Sequence, residues 1–221
     1  MIDAVVFDLD GVLIDSEQVW SAAREQLVRE RGGSWRADAT RAMMGMSSPE
    51  WSRYLHDELG VDLPPEEISR AVVERMAGLY RQRLPLIPGA REAVASVAGR
   101  LRLGLASSAN RELIDLVLEL AELQPFFAAT VSSEEVPHGK PAPDVYLEAA
   151  RRLGVRPARC AAVEDSSNGL RSAAAAGFVV VAVPNREFPP AQDALGLAAV
   201  VLGSLEGLRP GLLEELGSGP M

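Results

Sequence analysis

Seven residues of this chain could do chemistry together: Asp8, Asp10, Ser107, Ser108, Lys140, Glu164 and Asp165. Four are carboxylates, and carboxylates crowded together repel unless a cation lies among them. Hard oxygen donors with no His or Cys beside them favour Mg2+ over zinc. Such a cation commonly also holds a phosphate, for which lysine offers a compact positive charge and serine a directional donor. A carboxylate can itself attack phosphorus, giving an aspartyl-phosphate that water later hydrolyses. A second carboxylate two residues further on, as Asp10 is to Asp8, can protonate the leaving group and then activate that water.

Bringing these residues together requires a particular scaffold. Asp8 follows a short apolar run at residues 2–7, rich in Val, Ile and Phe, which reads as a buried strand. Similar runs recur at 101–106, 128–131, 160–163, 178–183 and 198–202, with helical patterns at 91–99, 111–120, 144–153 and 170–176 between most of them. Continuous apolar strands alternating with helices predict an α/β fold, a doubly wound parallel sheet covered on both faces. Ligands of such sheets bind at the carboxyl ends of the strands. The seven residues fall at or just beyond those ends.

One stretch breaks the alternation. From Ser16 to about Arg83 only helices are expected, at 19–31, 37–44, 49–59 and 65–82, before Pro85, Pro88 and Gly89 restore the βα pattern. The expectation is a core of residues 1–15 and 88–221 with an all-helical domain, 16–87, inserted after the first strand. A short helix is expected after Gly211, ahead of a frayed Gly-Ser-Gly-Pro-Met end.

Composition narrows the partners. Of 221 residues, 48% are apolar and 24% charged, enough to build a core without disulfides. The single cysteine, Cys160, fits a reducing compartment. The N-terminal sequence has no basic leader and no apolar run approaches the ~18 residues of a membrane span, so a cytoplasmic location is expected. A net charge of −9 argues against nucleic acid or an anionic membrane as partner. Lys140 is the only lysine among 22 basic residues, at the one place where a point charge is wanted.

Singly, the motifs have plain explanations. Asp-x-Asp-Gly is also a turn, and Glu164-Asp165-Ser166 or Ser107-Ser108 could simply cap helices. Together and in order, they resemble the haloacid dehalogenase superfamily in its phosphatase and phosphomutase branch. Phe7-Asp8-Leu9-Asp10-Gly11-Val12-Leu13, Leu105-Ala106-Ser107-Ser108, Gly139-Lys140-Pro141 and Glu164-Asp165-Ser166 resemble its four motifs. The resemblance implies a Rossmann-like core with a helical cap. It implies Asp8 as nucleophile and Mg2+ ligand, and Asp10 as general acid/base with its carbonyl on the metal. Ser107, Ser108 and Lys140 would hold the phosphoryl group, and Glu164 and Asp165 would complete the Mg2+ site. The acid at position 10 points to phosphoryl transfer rather than dehalogenation.

The cap would choose the substrate, and Glu17, Trp20, Gly45 and Met46 are its candidate specificity residues. Mutases of the branch carry an arginine and a histidine where this chain aligns Ser48 and Trp20. The expectation is therefore a phosphatase for a small phosphorylated metabolite, a sugar or polyol phosphate. The alternatives are a β-phosphoglucomutase-like enzyme using Arg41 or Arg53, a phosphoglycolate phosphatase, and a non-catalytic phosphometabolite-binding regulator. A monomer is expected, with a dimer as the alternative.

Overall fold

A computed structural model describes residues 1–44 and 46–218. The candidate at Gly45 and the last three residues of the expected frayed end lie outside the described residues. Six parallel strands run β1 (Ala4–Phe7), β2 (Arg102–Ser107), β3 (Phe127–Ser132), β4 (Cys160–Glu164), β5 (Val179–Ala182) and β6 (Val200–Val201). Their spatial order is β3-β2-β1-β4-β5-β6, so β1 is central and the chain reverses direction across the sheet there. The crevice at such a reversal is where doubly wound sheets take their ligands.

Strand periodicity explains the two covered faces. Val5 and Phe7 of β1 point into one apolar cluster with Leu103 and Leu105, while Ala4 and Val6 point into the other with Ala106 and Val131. All four β1 residues are buried, which is why the strand reads as unbroken apolar sequence rather than an alternation. Helix α7 (Asp144–Leu153) packs on β1, β2 and β3, and α8 (Ser167–Ala175) on β4 and β5. Helices α5 (Ala90–Ala98) and α6 (Arg111–Leu120) contact β2 and β3 respectively; α9 (Gln192–Leu195) is a single turn, and α10 (Pro210–Gly217) ends the described chain.

Between β1 and α5 come only helices among the described residues: α1 (Glu17–Glu30), α2 (Ala39–Met43), α3 (Ser48–Asp57) and α4 (Pro65–Gln82). Buried positions on α4 fall at Ile68, Val72, Val73, Met76 and Tyr80, the spacing of one helical face. The two connections to this segment lie side by side. Asp15 N–H donates to Pro85 O at 2.8 Å and Ile87 N–H to Leu13 O at 2.9 Å.

The structure departs from the sequence reading in details. Helix α8 starts at Ser167 rather than 170, because Ser166 caps it by accepting from Gly169 N–H. The last strand shortens to two residues, and α9 has no sequence counterpart in the expectation. Ser107 and Ser108 do not cap α6; Asn110 occupies that position.

Candidate active site

The carboxyl ends of β1, β2 and β4 bring most of the expected residues together. Asp8 leaves β1 with its N–H still bonded to Val163 O of β4 at 3.0 Å, so the sheet itself fixes its start. Its Oδ1 accepts from Lys140 Nζ at 2.7 Å. Lys140 also donates to Glu164 Oε1 at 2.6 Å and to Ala106 O at 3.0 Å, which uses all three of its N–H groups. Tyr146 on α7 donates its hydroxyl to the same Glu164 Oε1 at 2.7 Å. The other Glu164 oxygen accepts from Asp165 N–H at 3.1 Å.

Asp8, Glu164 and Asp165 each place an oxygen within 4.8 Å of the others, and all three are buried. Two glycines make room for them. A Cβ on Gly11, where φ is +80°, would stand 2.0 Å from Asp165 Oδ2, and one on Gly169 would stand 1.9 Å from Glu164 Oε2.

One lysine thus faces three buried carboxylates, and the surplus negative charge shows in their proton affinity. Burial, against the pull of Lys140, pushes Asp8 up to about 8. Burial and then the Glu164 charge push Asp165 well above the usual carboxylate range. Burial alone would lower Lys140, but Asp8 and Glu164 outweigh it and hold the ammonium charged. Asp165 Oδ1 is buried with no hydrogen-bond partner among the described residues. A sealed carboxylate oxygen without a donor, in a cluster two positive charges short of balance when its acids are ionised, fits a divalent cation of the oxygen-preferring kind.

Asp10 is held differently. Its Oδ1 accepts from Ser16 Oγ and from Trp20 Nε1, the latter at 3.0 Å. Oδ2 has no partner among the described residues. Of the two serines, Ser107 is fully buried and its Oγ accepts from Ala109 N–H at 3.0 Å, leaving its own proton to donate. Ser108 lines the cavity with a buried, unpartnered Oγ.

The helical segment lies over this edge, with a partly open cavity of about 60 Å³ between them. Asp8, Asp10, Lys140 and Asp165 line the sheet side; Glu17, Trp20 and Met46 line the other. Burial pushes the Glu17 carboxyl up to about 7 against the opposing effect of Arg24. Arg41 and Arg53, the cations of the mutase alternative, are both exposed. Ser48 Oγ donates to Asn110 Oδ1 at 2.6 Å, and Gln18 Nε2 to Glu187 Oε2 at 2.8 Å, joining segment and sheet layers on both sides.

Sequence reasoning missed Tyr146, Ser16 and Arg24. Nothing local marks Tyr146. Arg24 carried a signal, since it lies four residues after Trp20 and so on the same helical face.

An inserted helical layer over a switch-point crevice, with one lysine and an acid cluster that could hold a metal ion at its floor, is the arrangement of an α/β enzyme. The chain belongs to the haloacid dehalogenase-like hydrolase family, whose model matches residues 2–177. It is 36% identical to hexitol phosphatase B of Escherichia coli strain K12, over 91% of this chain and 92% of that protein. It is 33% identical to the phosphorylated carbohydrates phosphatase of Thermotoga maritima, over 80% of this chain and 82% of that one. Among solved structures, CbbY from Rhodobacter sphaeroides in complex with phosphate superposes with a TM-score of 0.87 at 27% identity, covering 97% of this chain and 100% of that one. No helix among the described residues is long and apolar enough to cross a membrane.

Proposed function

We propose that the protein is a phosphatase for a small phosphate monoester, of sugar or polyol phosphate type, acting in the cytoplasm through an aspartyl-phosphate on Asp8. The observation that carries this reading is the position of Asp8: a buried carboxylate, fixed at one oxygen by Lys140, beside a second carboxylate that is held at Oδ1 and free at Oδ2. Asp8 attacks phosphorus and the ester P–O bond breaks. The departing alkoxide takes a proton from Asp10 Oδ2. A water then gives its proton back to Asp10, attacks the aspartyl-phosphate at phosphorus, and releases inorganic phosphate and free Asp8. Ser107, Ser108 and Lys140 steady the phosphoryl oxygens. Asp8, Asp165 and the Asp10 carbonyl would hold Mg2+, with Glu164 behind them; the ion would neutralise the acid cluster and the charge of the phosphoryl group. The helical domain of residues 16–87 acts as a cap that excludes water and selects the substrate.

The names of the relatives support a phosphorylated carbohydrate as substrate. Ser48 supports a phosphatase over a mutase, since its hydroxyl is committed to Asn110 and it carries no charge for a second phosphate. Hydrolysis of p-nitrophenyl phosphate with and without Mg2+, for wild type and Asp8→Asn, tests the reading. Magnesium-dependent turnover that falls at least a thousandfold in the variant is expected. No turnover by wild type would refute it.

A further inference from the structure

Arg24, on α1, is 6% exposed, and no ion pair or hydrogen bond to it occurs among the described residues. Its Nε is sealed from solvent without a partner. The guanidinium carbon lies 4.6 Å from the centre of the Trp20 ring and 4.9 Å from that of Trp51, in the corner formed by two indoles whose centroids are 6.0 Å apart. Three other arginines of the helical segment are paired, Arg29 with Glu25, Arg36 with Asp38 and Arg75 with Glu30, and Arg41 and Arg53 are exposed to solvent. Arg24 instead lines the cavity that contains Asp8 and Asp10, on a wall whose other members include the apolar Met43, Met44 and Met46.

A buried charge without a partner is among the costliest features a fold can carry. Contact with the indole faces offsets part of that cost but supplies no hydrogen-bond acceptor. Arg24 makes no hydrogen bond among the described residues, and the N–H fork of a guanidinium matches the two oxygens of a carboxylate or phosphate. Burial lowers Arg24 to about 10 against the charges of Glu17 and Asp10, which share the cavity but lie beyond ion-pair distance of it. Substrate hydroxyls could accept its hydrogen bonds but would bring it no direct counter-charge.

We propose that Arg24 is a specificity residue that receives a second anionic group, a carboxylate or a second phosphate, carried by the same small molecule whose phosphate ester is cleaved at Asp8. This rests on the phosphatase reading and narrows its substrate class to phosphate esters with two anionic ends.

The test uses matched esters that differ only in the distal group. Glycerol 3-phosphate against 3-phosphoglycerate probes a carboxylate, and fructose 1-phosphate against fructose 1,6-bisphosphate probes a second phosphate. Wild type is expected to prefer the doubly anionic member of at least one pair in kcat/KM, and the pair that shows it identifies the anion. In Arg24→Met that preference should fall by about 10- to 100-fold, the loss of a charged hydrogen-bonded contact, mainly through KM. Arg24→Lys, which keeps the charge but not the fork, should fall between the two and serves if the Met variant does not fold. No preference by wild type in either pair, or a preference that survives both substitutions within twofold, overturns the inference while leaving the phosphatase reading intact. Failure of wild type to hydrolyse any ester, p-nitrophenyl phosphate included, removes that reading and the inference with it.

Discussion

The two walls of the cavity are built on opposite terms. On the sheet wall the Lys140–Glu164 network is committed: Lys140 spends its three donors, Glu164 accepts at both oxygens, and Tyr146 locks the cluster from behind, while Asp165 Oδ1 and Ser108 Oγ have no partner among the described residues. On the helical wall Arg24 is buried and unpaired among Met and Trp side chains. Committed networks hold reacting groups at fixed positions before any ligand arrives, which electrostatic catalysis requires. An unspent charge is paired only when the right molecule enters, which specificity requires. The chemistry of the site and its selectivity are thus separated in space, and they meet at Asp10 of the sheet wall, to which Trp20 and Ser16 of the helical segment donate.

The contrast breaks most severely at Lys140. Replacing it with Met would leave three buried carboxylates with no positive charge, at a cost of about 3–5 kcal/mol in unfolding free energy. Urea denaturation in the absence of divalent ions measures this, and a loss under ~1 kcal/mol would mean that the cluster is not the tight network described, since that is the scale of an exposed pair.

A smaller effect follows from the proton affinity of the same acids. Unfolded Asp8 releases its proton near 3.8, whereas the folded carboxyl keeps it to about 8. Between those values the folded state binds more protons, so this group makes metal-free stability fall as pH rises through that window. Mg2+ should therefore raise Tm more at pH 8 than at pH 5, as differential scanning fluorimetry with and without EDTA would reveal. An equal rise at both pH values would remove the carboxylates as its cause.

The smallest effect belongs to the contact between the walls. Trp20→Phe keeps an aromatic ring beside Arg24 but deletes the N–H that holds Asp10 Oδ1. A fall in kcat of about tenfold is expected for one lost hydrogen bond to a charged group. KM should change little. A change confined to KM would show Trp20 to be a wall of the cavity only.

The sheet wall was legible in the sequence because strands deliver residues to a common edge in a fixed pattern. Asp8, Ser107 and Glu164 end three apolar runs or fall immediately after them, so strand periodicity alone places them together. The helical insertion was legible from the absence of strands between Ser16 and Arg83. Helix faces are harder to read across gaps in sequence. Arg24 meets Trp51 only because α1 and α3 pack in three dimensions, and Tyr146 meets Glu164 across the sheet from α7. Arg41 and Arg53, the cations that the mutase alternative would use, are both exposed; the arginine on the cavity belongs to α1 instead. Likewise the serine pair is split by its turn, with one hydroxyl bound to Ala109 N–H and the other bare in the cavity.

The most direct test of the central claim is to trap the phosphoryl group on its acceptor. Enzyme mixed with a 32P-labelled sugar phosphate and Mg2+ is quenched in acid within a turnover, digested, and its peptides are mapped. The account predicts label on the peptide containing Asp8, released by hydroxylamine and absent from Asp8→Asn. Normal turnover with no label on that peptide, or an Asp8→Asn variant retaining activity within tenfold of wild type, would contradict it.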